Sequence, residues 1–396
     1  MLENKHILIG IGGGIAVYRV AELVRLLIKQ GAKVRCVMTR SACEFVTPLT
    51  FDALTGEQTH TELFDLTSER QMGHIQLARW ADAIVIAPAT ANLLSKLAYG
   101  IADDLFTTIM QVSEAPVLIA PAMNQSMWEN SATKTNVDTL LNRGFHFSGP
   151  ASGELACGET GPGRLNEPEA IMDALLPLLH EQRLAGQRWV INAGPTWERW
   201  DAVRLLTNRA TGTLGALLAN TAAVLGASVT LIAGPGTPTC SQRVKRIRVE
   251  SAHGMLETCE EQAKGADIFV GTAAVSDFAF KETLNEKMKR GDTKTMQVEL
   301  ISNPDVVATI ANMDDRPNRI IAFAAESSKH IEYARGKLER KGADAIIAND
   351  VANMGSDHAS GWWITKSGET VIDADDKQAL AEEIIKKIME LQSECR

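Results

Sequence analysis

The sequence predicts an α/β protein of two doubly wound, three-layer domains, Rossmann-like or flavodoxin-like, the second closed by a β-hairpin. Three observations predict it. Continuous Val/Ile/Leu runs alternate with segments of helical period, as parallel strands buried on both faces require. The alternation restarts near residue 187. A chain of 396 residues also exceeds what one ordinary core organises.

Taken in order, "HILIGIG" (6–12) is an apolar run ending in glycines, and "IAVYRVAELVRLLIKQG" carries apolar residues at helical spacing as far as Gly31. "AKVRCVMT", "DAIVIAPAT" (82–90) and "APVLIAPAM" (115–123) read as further strands. In the second half "QRWVINAGPT" is a strand entering a Gly-Pro turn and "TGTLGALLANTAAVLGA" a helix. "ASVTLIAG", "ADIFVGTAAVSDF", "RIIAFAAES" and "ADAIIAND" read as buried strands. "GWWITKSGETVI" holds a Ser-Gly turn between apolar runs, which predicts the closing hairpin. The seam falls in "LLHEQRLAGQ" (178–187), giving domains 1–183 and 187–396.

Composition narrows the function classes. The net charge of −9 argues against a nucleic-acid binder that works by bulk charge. No apolar run reaches membrane-spanning length and "MLENKHILIG" lacks the pattern of a secretion signal, so a cytoplasmic protein without membrane contact is expected. The six cysteines form no C-x-x-C pair and none stands at metal-finger spacing to a histidine, which speaks against disulfides or structural zinc.

A strand running into glycines and then a helix is a ready anion site, because free backbone N–H groups meet the positive end of the helix. "GIGGGIAVY" does not fit G-x-G-x-x-G, since the sixth position is Ile15. The next strand ends in Thr39 and Arg40, with no acid for a ribose hydroxyl, so NAD is disfavoured. NADP through Arg40, FMN, and a tight turn without ligand all stay open.

Several long motifs then occur in a fixed order. They are "GGGIAVY" (12–18), "HIQLARWAD" (74–82), "APATANLLSKLAYGIADDL" (87–105), "PAMNQSMW" (121–128) and "ELACGETGPGR" (154–164). Further on stand "NAGPTWERWDAVRLLTNRATG" (192–212), "AAVSDF" (273–278), "KMKR" (287–290), "NPD" (303–305), "AFAAES" (322–327) and "KLERKGADAIIANDV" (337–351). Over nearly its whole length the chain resembles the bacterial bifunctional phosphopantothenoylcysteine decarboxylases/phosphopantothenate–cysteine ligases of coenzyme A biosynthesis.

For the first half the resemblance implies FMN. Direct loss of CO₂ from the substrate would leave a carbanion without an electron sink. Oxidation of the CH₂–SH group to a thioaldehyde places C=S beta to the carboxylate, and the resulting enethiolate is then reduced. His74 would assist the first stage, and Asn124 with Arg164 would bind substrate. Cys157, on a glycine-rich flap, would protonate the enethiolate carbon. Gly12, Gly13, Thr39, Thr90 and Asn92 would hold FMN; Thr90 and Asn92 also suit helix caps. Met127 and Trp128 read as core anchors, and the other five cysteines as packed or chance thiols.

For the second half the resemblance implies activation of 4′-phosphopantothenate by CTP through an acyl-cytidylate, followed by coupling to cysteine. Asn208 would form or handle that intermediate. Ala273, Asp277, Asn303, Pro304, Asp305, Val306 and Phe323 would form the nucleotide pocket. Lys337 and Lys341, four apart on an expected helix, share a face that an anion would relieve, with Glu332 and Glu339 as alternative partners. Lys287, with Lys289 and Arg290, matches a flexible lysine loop. One departure stands out. Where the family commonly has Asn-Arg-Ser-Ser-Gly-Lys-Met-Gly, this chain has "NRATGTLG" (208–215), so Ala210 and Thr213 replace a serine and the lysine. Different or weaker binding of the substrate phosphate is therefore expected. Val17 and Arg19, for Ala and Lys, are conservative.

Rival readings remain. One keeps the decarboxylase with an impaired ligase. Another is a non-catalytic flavoprotein subunit, which predicts loss of His74 or Cys157, yet both are present. A plain NADP reductase leaves "PAMNQSMW" unexplained. The resemblance further implies magnesium, whose ligands the sequence does not identify. It also implies a large homo-oligomer, with trimers of the first half bearing FMN at subunit contacts, dimers of the second, and up to a dodecamer.

Overall fold

The computed structural model describes residues 1–63, 73–155, 158–289, 295–326, 330–350 and 359–393. It divides into two units, Met1–Glu181 and Gln182–Arg396. The first runs β1 (His6–Ile11), α1 (Val17–Lys29), β2 (Lys33–Met38), α2 (Arg40–Cys43), α3 (Pro48–Thr55), α4 (Gly73–Trp80), β3 (Ala83–Ala89), α5 (Ala91–Tyr99) and α6 (Leu105–Val112). It continues through β4 (Val117–Pro121), α7 (Gln125–Glu129), α8 (Ser131–Asn142), β5 (His146–Phe147), the antiparallel pair β6 (Ala151–Glu154) and β7 (Thr160–Arg164), and α9 (Pro168–Leu175).

The main sheet is parallel, in the order β2-β1-β3-β4-β5. Alternate residues of β1 face opposite layers. Ile7, Ile9 and Ile11 join the core under α1, α3 and α9, while Leu8 joins that under α4, α5, α6 and α8. A Cβ at Gly10 would fall inside the ring of Phe106, so the glycine lets α6 lie directly on the strand. That contact fixes the strand end from which the first glycine turn departs.

The second unit runs β8 (Arg188–Ala193), β9 (Glu198–Arg199), β10 (Leu205–Leu206), α10 (Thr213–Val224), β11 (Ser228–Ala233), β12 (Lys245–Arg248), α11 (Ala252–Ala263), β13 (Ile268–Gly271) and β14 (Phe278–Phe280). Then follow β15 (Leu300–Ser302), α12 (Val306–Ala311), β16 (Arg319–Glu326), α13 (His330–Lys341), β17 (Ala345–Asp350), β18 (Ala359–Thr365), β19 (Glu369–Ala374) and α14 (Lys377–Ser393). Its sheet has the order β12-β11-β8-β13-β16-β17-β18-β19. The first six strands are parallel; β18 and β19 pair antiparallel and form the closing hairpin. Numbering only the parallel strands of each main sheet in chain order, the orders are 2-1-3-4-5 and 3-2-1-4-5-6, the two doubly wound patterns of nucleotide- and flavin-binding sheets. Trp189 and Ile191 pack under α10 and α14, and Val190 under α11, α12 and α13 on the opposite face.

One strand expectation needs correction, and one strand was not foreseen. "ADIFVGTAAVSDF" is not one strand. β13 stops at Gly271, because the Thr272 hydroxyl donates to the Asn192 carbonyl at 2.6 Å and the Ala273 N–H to Asn192 Oδ1 at 3.0 Å. Phe278 then starts a separate ribbon, β14 with β15. β12, sequence Lys-Arg-Ile-Arg, has no apolar run because it is an edge strand. Among the described residues no helix is long and apolar enough to cross a membrane. Cys36 and Cys259 are core residues, and burial pushes both thiols up to about 12. Cys43 and Cys240 are partly buried; Cys157 and Cys395 lie outside the described residues.

Candidate functional site

Each sheet reverses strand order beside its first strand, where the connections leaving the carboxyl ends diverge and open a crevice. In the first unit this point lies between β1 and β3, and a cleft of about 1000 Å³ opens there. Gly12, Gly13, Thr39, Thr90 and Asn92, the residues expected to hold FMN, all line it. The glycines answer to close approach. The Gly12 N–H donates to the Pro88 carbonyl at 3.2 Å, and a Cβ at Gly12 would strike that same oxygen. A Cβ at Gly13 would strike Ser41. The wall is therefore bare backbone. Thr39 accepts from the Ala42 N–H at 3.3 Å and Thr90 from the Leu93 N–H at 3.3 Å, so both hydroxyls cap helices that begin at the cleft.

Asn124 and Arg164 line the same cleft. Asn124 Oδ1 accepts from the Ser126 N–H at 2.8 Å and caps α7, which leaves Nδ2 to donate to Glu159 at 2.7 Å. β7 is pinned beside it: the Met123 N–H donates to the Gly163 carbonyl at 2.9 Å, and no side chain fits at Gly163 against the Met123 carbonyl. Met127 is not a core anchor. It is half exposed and lines the cleft, whereas Trp128 packs on the core.

Charged groups not singled out by sequence also converge. Glu167 bridges Arg19 at 2.6 Å and Arg164 at 3.1 Å. Lys96 pairs with Asp103 at 2.7 Å and Asp104 at 3.3 Å; the Asp103 hydrogen bond raises the lysine's pKa, and Lys96 in turn holds Asp103 below the ordinary carboxylate value. Lys96, Asp103 and Asp104 line the cleft and had no signal beyond membership in a quoted motif, and Glu167 lies outside every quoted motif. His74, in the first turn of α4, is partly buried and does not line the cleft. Cys157 lies outside the described residues.

In the second unit the switch point lies between β8 and β13, and the segment Ala273–Asp277 leaves the end of β13 beside the turn that follows β8, Ala274 pairing with Pro195. Ala274 N–H donates to the Gly194 carbonyl at 3.0 Å and Ser276 N–H to Thr196 Oγ1 at 3.0 Å. From the other side Asn208 Nδ2 donates to the carbonyls of Ala274 and Val275 at 3.1 and 3.2 Å. Asn303 Nδ2 donates to the Ser276 carbonyl at 2.9 Å, and the Asn303 N–H to the Asp277 carbonyl at 2.9 Å. So Asn208, Ala273, Asp277 and Asn303 meet. Asn303 Oδ1 is buried without a donor among the described residues, a state that native interiors seldom leave uncompensated. Phe323 sits partly buried in β16 against the core, and Pro304 leads into Asp305 and Val306 at the start of α12.

Lys337 and Lys341 share α13 as expected, but the partner of Lys341 is neither nearby glutamate. It donates to both oxygens of Asp305 at 2.8 Å, and Asp305 also caps α12 through the Ala308 N–H at 3.2 Å. Burial works against the Asp305 charge, yet Lys341 and the Ala308 N–H outweigh it and hold the carboxyl below its ordinary 3.8. A lowered native pKa contributes stability above the unfolded value and loses it as pH falls through the native one. Asp305→Asn keeps the cap and removes the pair. We expect a lower urea midpoint than the parent at pH 7, with the gap closing below about pH 4, followed by tryptophan fluorescence.

The loop carrying Lys287 is held by a residue that sequence alone did not flag. Asp201, buried, accepts from the N–H groups of Val203 and Arg204 at 2.7 Å and of Met288 at 3.2 Å, and from the Arg204 guanidinium at 2.8 Å. Burial opposes its charge, but the N–H groups of Arg204, Val203 and Met288, with the guanidinium, keep its carboxyl below the ordinary value. Arg204 donates in turn to the Met288 carbonyl at 3.3 Å and lies over Trp200. Lys287 itself is exposed, and Arg290 lies outside the described residues. In the departing loop, Gly212 at φ +69° starts α10, and Thr211 Oγ1 pairs with Thr213 Oγ1 at 2.9 Å.

Residues 1–180 match the family model described as Flavoprotein, and residues 184–391 the one described as DNA/pantothenate metabolism flavoprotein C-terminal domain. The chain is 42% identical over 397 residues to the coenzyme A biosynthesis bifunctional protein CoaBC of Vibrio parahaemolyticus, covering 98% of this chain and 99% of that protein. It is 38% identical over 395 residues to the protein of the same name from Escherichia coli K12, covering 98% and 97%. A crystal structure of the C-terminal domain of a CoaBC protein is 34% identical, with a TM-score of 0.46, covering 54% of this chain and 100% of that one. On identity sustained along nearly the full length of both chains, this protein belongs to the family of coenzyme A biosynthesis bifunctional proteins CoaBC.

Proposed function

We propose that the C-terminal domain couples 4′-phosphopantothenate to cysteine with CTP, and that the N-terminal domain decarboxylates the product to 4′-phosphopantetheine. The observation that carries this reading is the cleft at the β1/β3 switch point, where the five expected flavin residues stand together with Asn124 and Arg164. FMN fits there: the wall is glycine backbone, the start of α5 is open to it, and the volume suits a cofactor with substrate. Bound FMN supplies the oxidation and the returning reduction. Gly12, Gly13, Thr39, Thr90 and Asn92 hold it, Asn124 binds the substrate carboxylate, and Arg164 contributes positive charge at the same mouth. Cys157 protonates the enethiolate carbon. His74 stands outside its own cleft, which favours a trimer in which a neighbouring copy contributes it.

In the C-terminal domain, CTP lies over Ala273–Asp277, and Asn303 Oδ1 meets a donor of the base. Pro304, Asp305, Val306 and Phe323 complete the pocket. Lys287, Lys337 and Lys341 neutralise phosphates with magnesium. Among the described residues no group of three or more His, Cys, Asp or Glu forms a metal site. Asn208 handles the acyl-cytidylate. The protein is cytoplasmic in this reading, and pairing of the C-terminal domains extends the trimers toward a dodecamer.

Mass spectrometry of purified protein mixed with phosphopantothenate, cysteine, CTP and magnesium tests it. 4′-Phosphopantetheine, CMP and pyrophosphate are expected. If only added phosphopantothenoylcysteine is decarboxylated, the ligase reading fails and the 210–213 substitutions are implicated. Thr213, paired with Thr211, brings no cation to that loop.

A further inference from the structure

The hairpin β6–β7 brings a carboxylate of its own to Asn124. Asn124 Oδ1 is committed to the Ser126 N–H, so the amide cannot turn over without uncapping α7. Its one remaining polar atom, Nδ2, points at Glu159 Oε2, 2.7 Å away. The Glu159 backbone is tied to Leu155: its carbonyl accepts from the Leu155 N–H at 2.8 Å, and Gly158, at φ +82°, donates to the Leu155 carbonyl at 2.9 Å. The next strand is tied to Met123. Glu159 is exposed, so the contact with Asn124 lies open to solvent.

We propose that Glu159 occupies the substrate's carboxylate position on Asn124 in the resting enzyme and is displaced when substrate binds. The inference rests on the reading of Asn124 as the partner of that carboxylate. Two carboxylates bonded to one amide nitrogen would stand within about 5 Å of each other, and their repulsion makes the two contacts compete. The amide is thus paired before the reaction, when no substrate is present, and again after it, when CO₂ has left and the product offers no carboxylate. Glu159 lowers affinity for carboxylate-bearing ligands and leaves the decarboxylated product untouched.

A matched pair of ligands tests this on the full-length, flavin-loaded protein by calorimetry. 4′-Phosphopantothenoyl-alanine keeps the carboxylate and lacks the thiol, so it is not turned over; 4′-phosphopantothenoyl-ethylamine differs from it only in lacking the carboxylate. Glu159→Ala is expected to lower the Kd of the alanine compound about fivefold and leave that of the ethylamine compound unchanged, as when a binding-competent state rises from about one fifth to full population. Glu159→Gln, a neutral and weaker competitor, is expected to fall between, and it stands in if the alanine variant does not fold. Equal shifts for both ligands would reduce Glu159 to a brace of the hairpin and overturn the proposal, as would no shift for either. If the parent protein binds neither compound, the functional reading itself fails and this inference with it.

Discussion

Replacing Asn124 by aspartate is expected to lower kcat/KM for decarboxylation by at least about 100-fold, with CTP-dependent ligation unchanged. The two side chains are isosteric and both cap helices well, so the bond from the Ser126 N–H survives and α7 stays folded. What changes is Nδ2. A donor 2.7 Å from Glu159 becomes an acceptor carrying negative charge. The substrate carboxylate loses its partner and meets like charge, a reversal of about 3 kcal/mol in a partly enclosed cleft. Steady-state assays with supplied phosphopantothenoylcysteine read the first activity, and pyrophosphate release reads the second. A variant within threefold of the parent on decarboxylation would remove Asn124 from substrate binding.

Asp201→Ala should act as selectively on the other reaction. Asp201 gathers the Val203, Arg204 and Met288 N–H groups and the Arg204 guanidinium on one buried carboxylate, and so ties the loop before Lys289 to the ribbon β9–β10. Without it, three N–H groups lose their acceptor and Lys287 loses its fixed base. Misplacing a phosphate-binding group by about 1 Å costs on the order of 100-fold in rate, and we expect a loss of that size in ligation. The mark of a positioning role is a KM for CTP that rises while the KM for phosphopantothenate holds. Both constants rising together would instead indicate general loosening. Decarboxylation of supplied intermediate is the internal control. Asp201→Asn, which keeps acceptor capacity for two of the N–H groups, is expected to recover part of the loss.

What could be read in advance followed from how strongly each residue's environment is encoded locally. Ile7, Ile9, Val85 and Ile119 sit in strands buried on both faces, so unbroken apolar runs gave them away. Gly12 and Thr90 occupy a strand end and a helix start, positions that composition marks directly. Sequence alone could not reveal partners distant along the chain. Glu159 meets Asn124 across 35 residues, and Asp201 meets Met288 across 87. Nothing local distinguishes either acid from a solvated one. β12 escaped notice for the opposite reason: an edge strand needs few apolar residues. The Thr272–Asp277 stretch looked like strand because small and β-branched residues suit both a strand and a close-packed crevice rim.

The two core cysteines have a chemical consequence. With both thiols buried and pushed up to about 12, Cys36 and Cys259 carry almost no thiolate at neutral pH. Because the thiolate is the reactive form, alkylating agents and mild oxidants pass these two positions by while the chain is folded. Modification at Cys36 or Cys259 therefore reports that β2 or α11 has come apart, which makes the pair built-in sensors of unfolding, one in each domain.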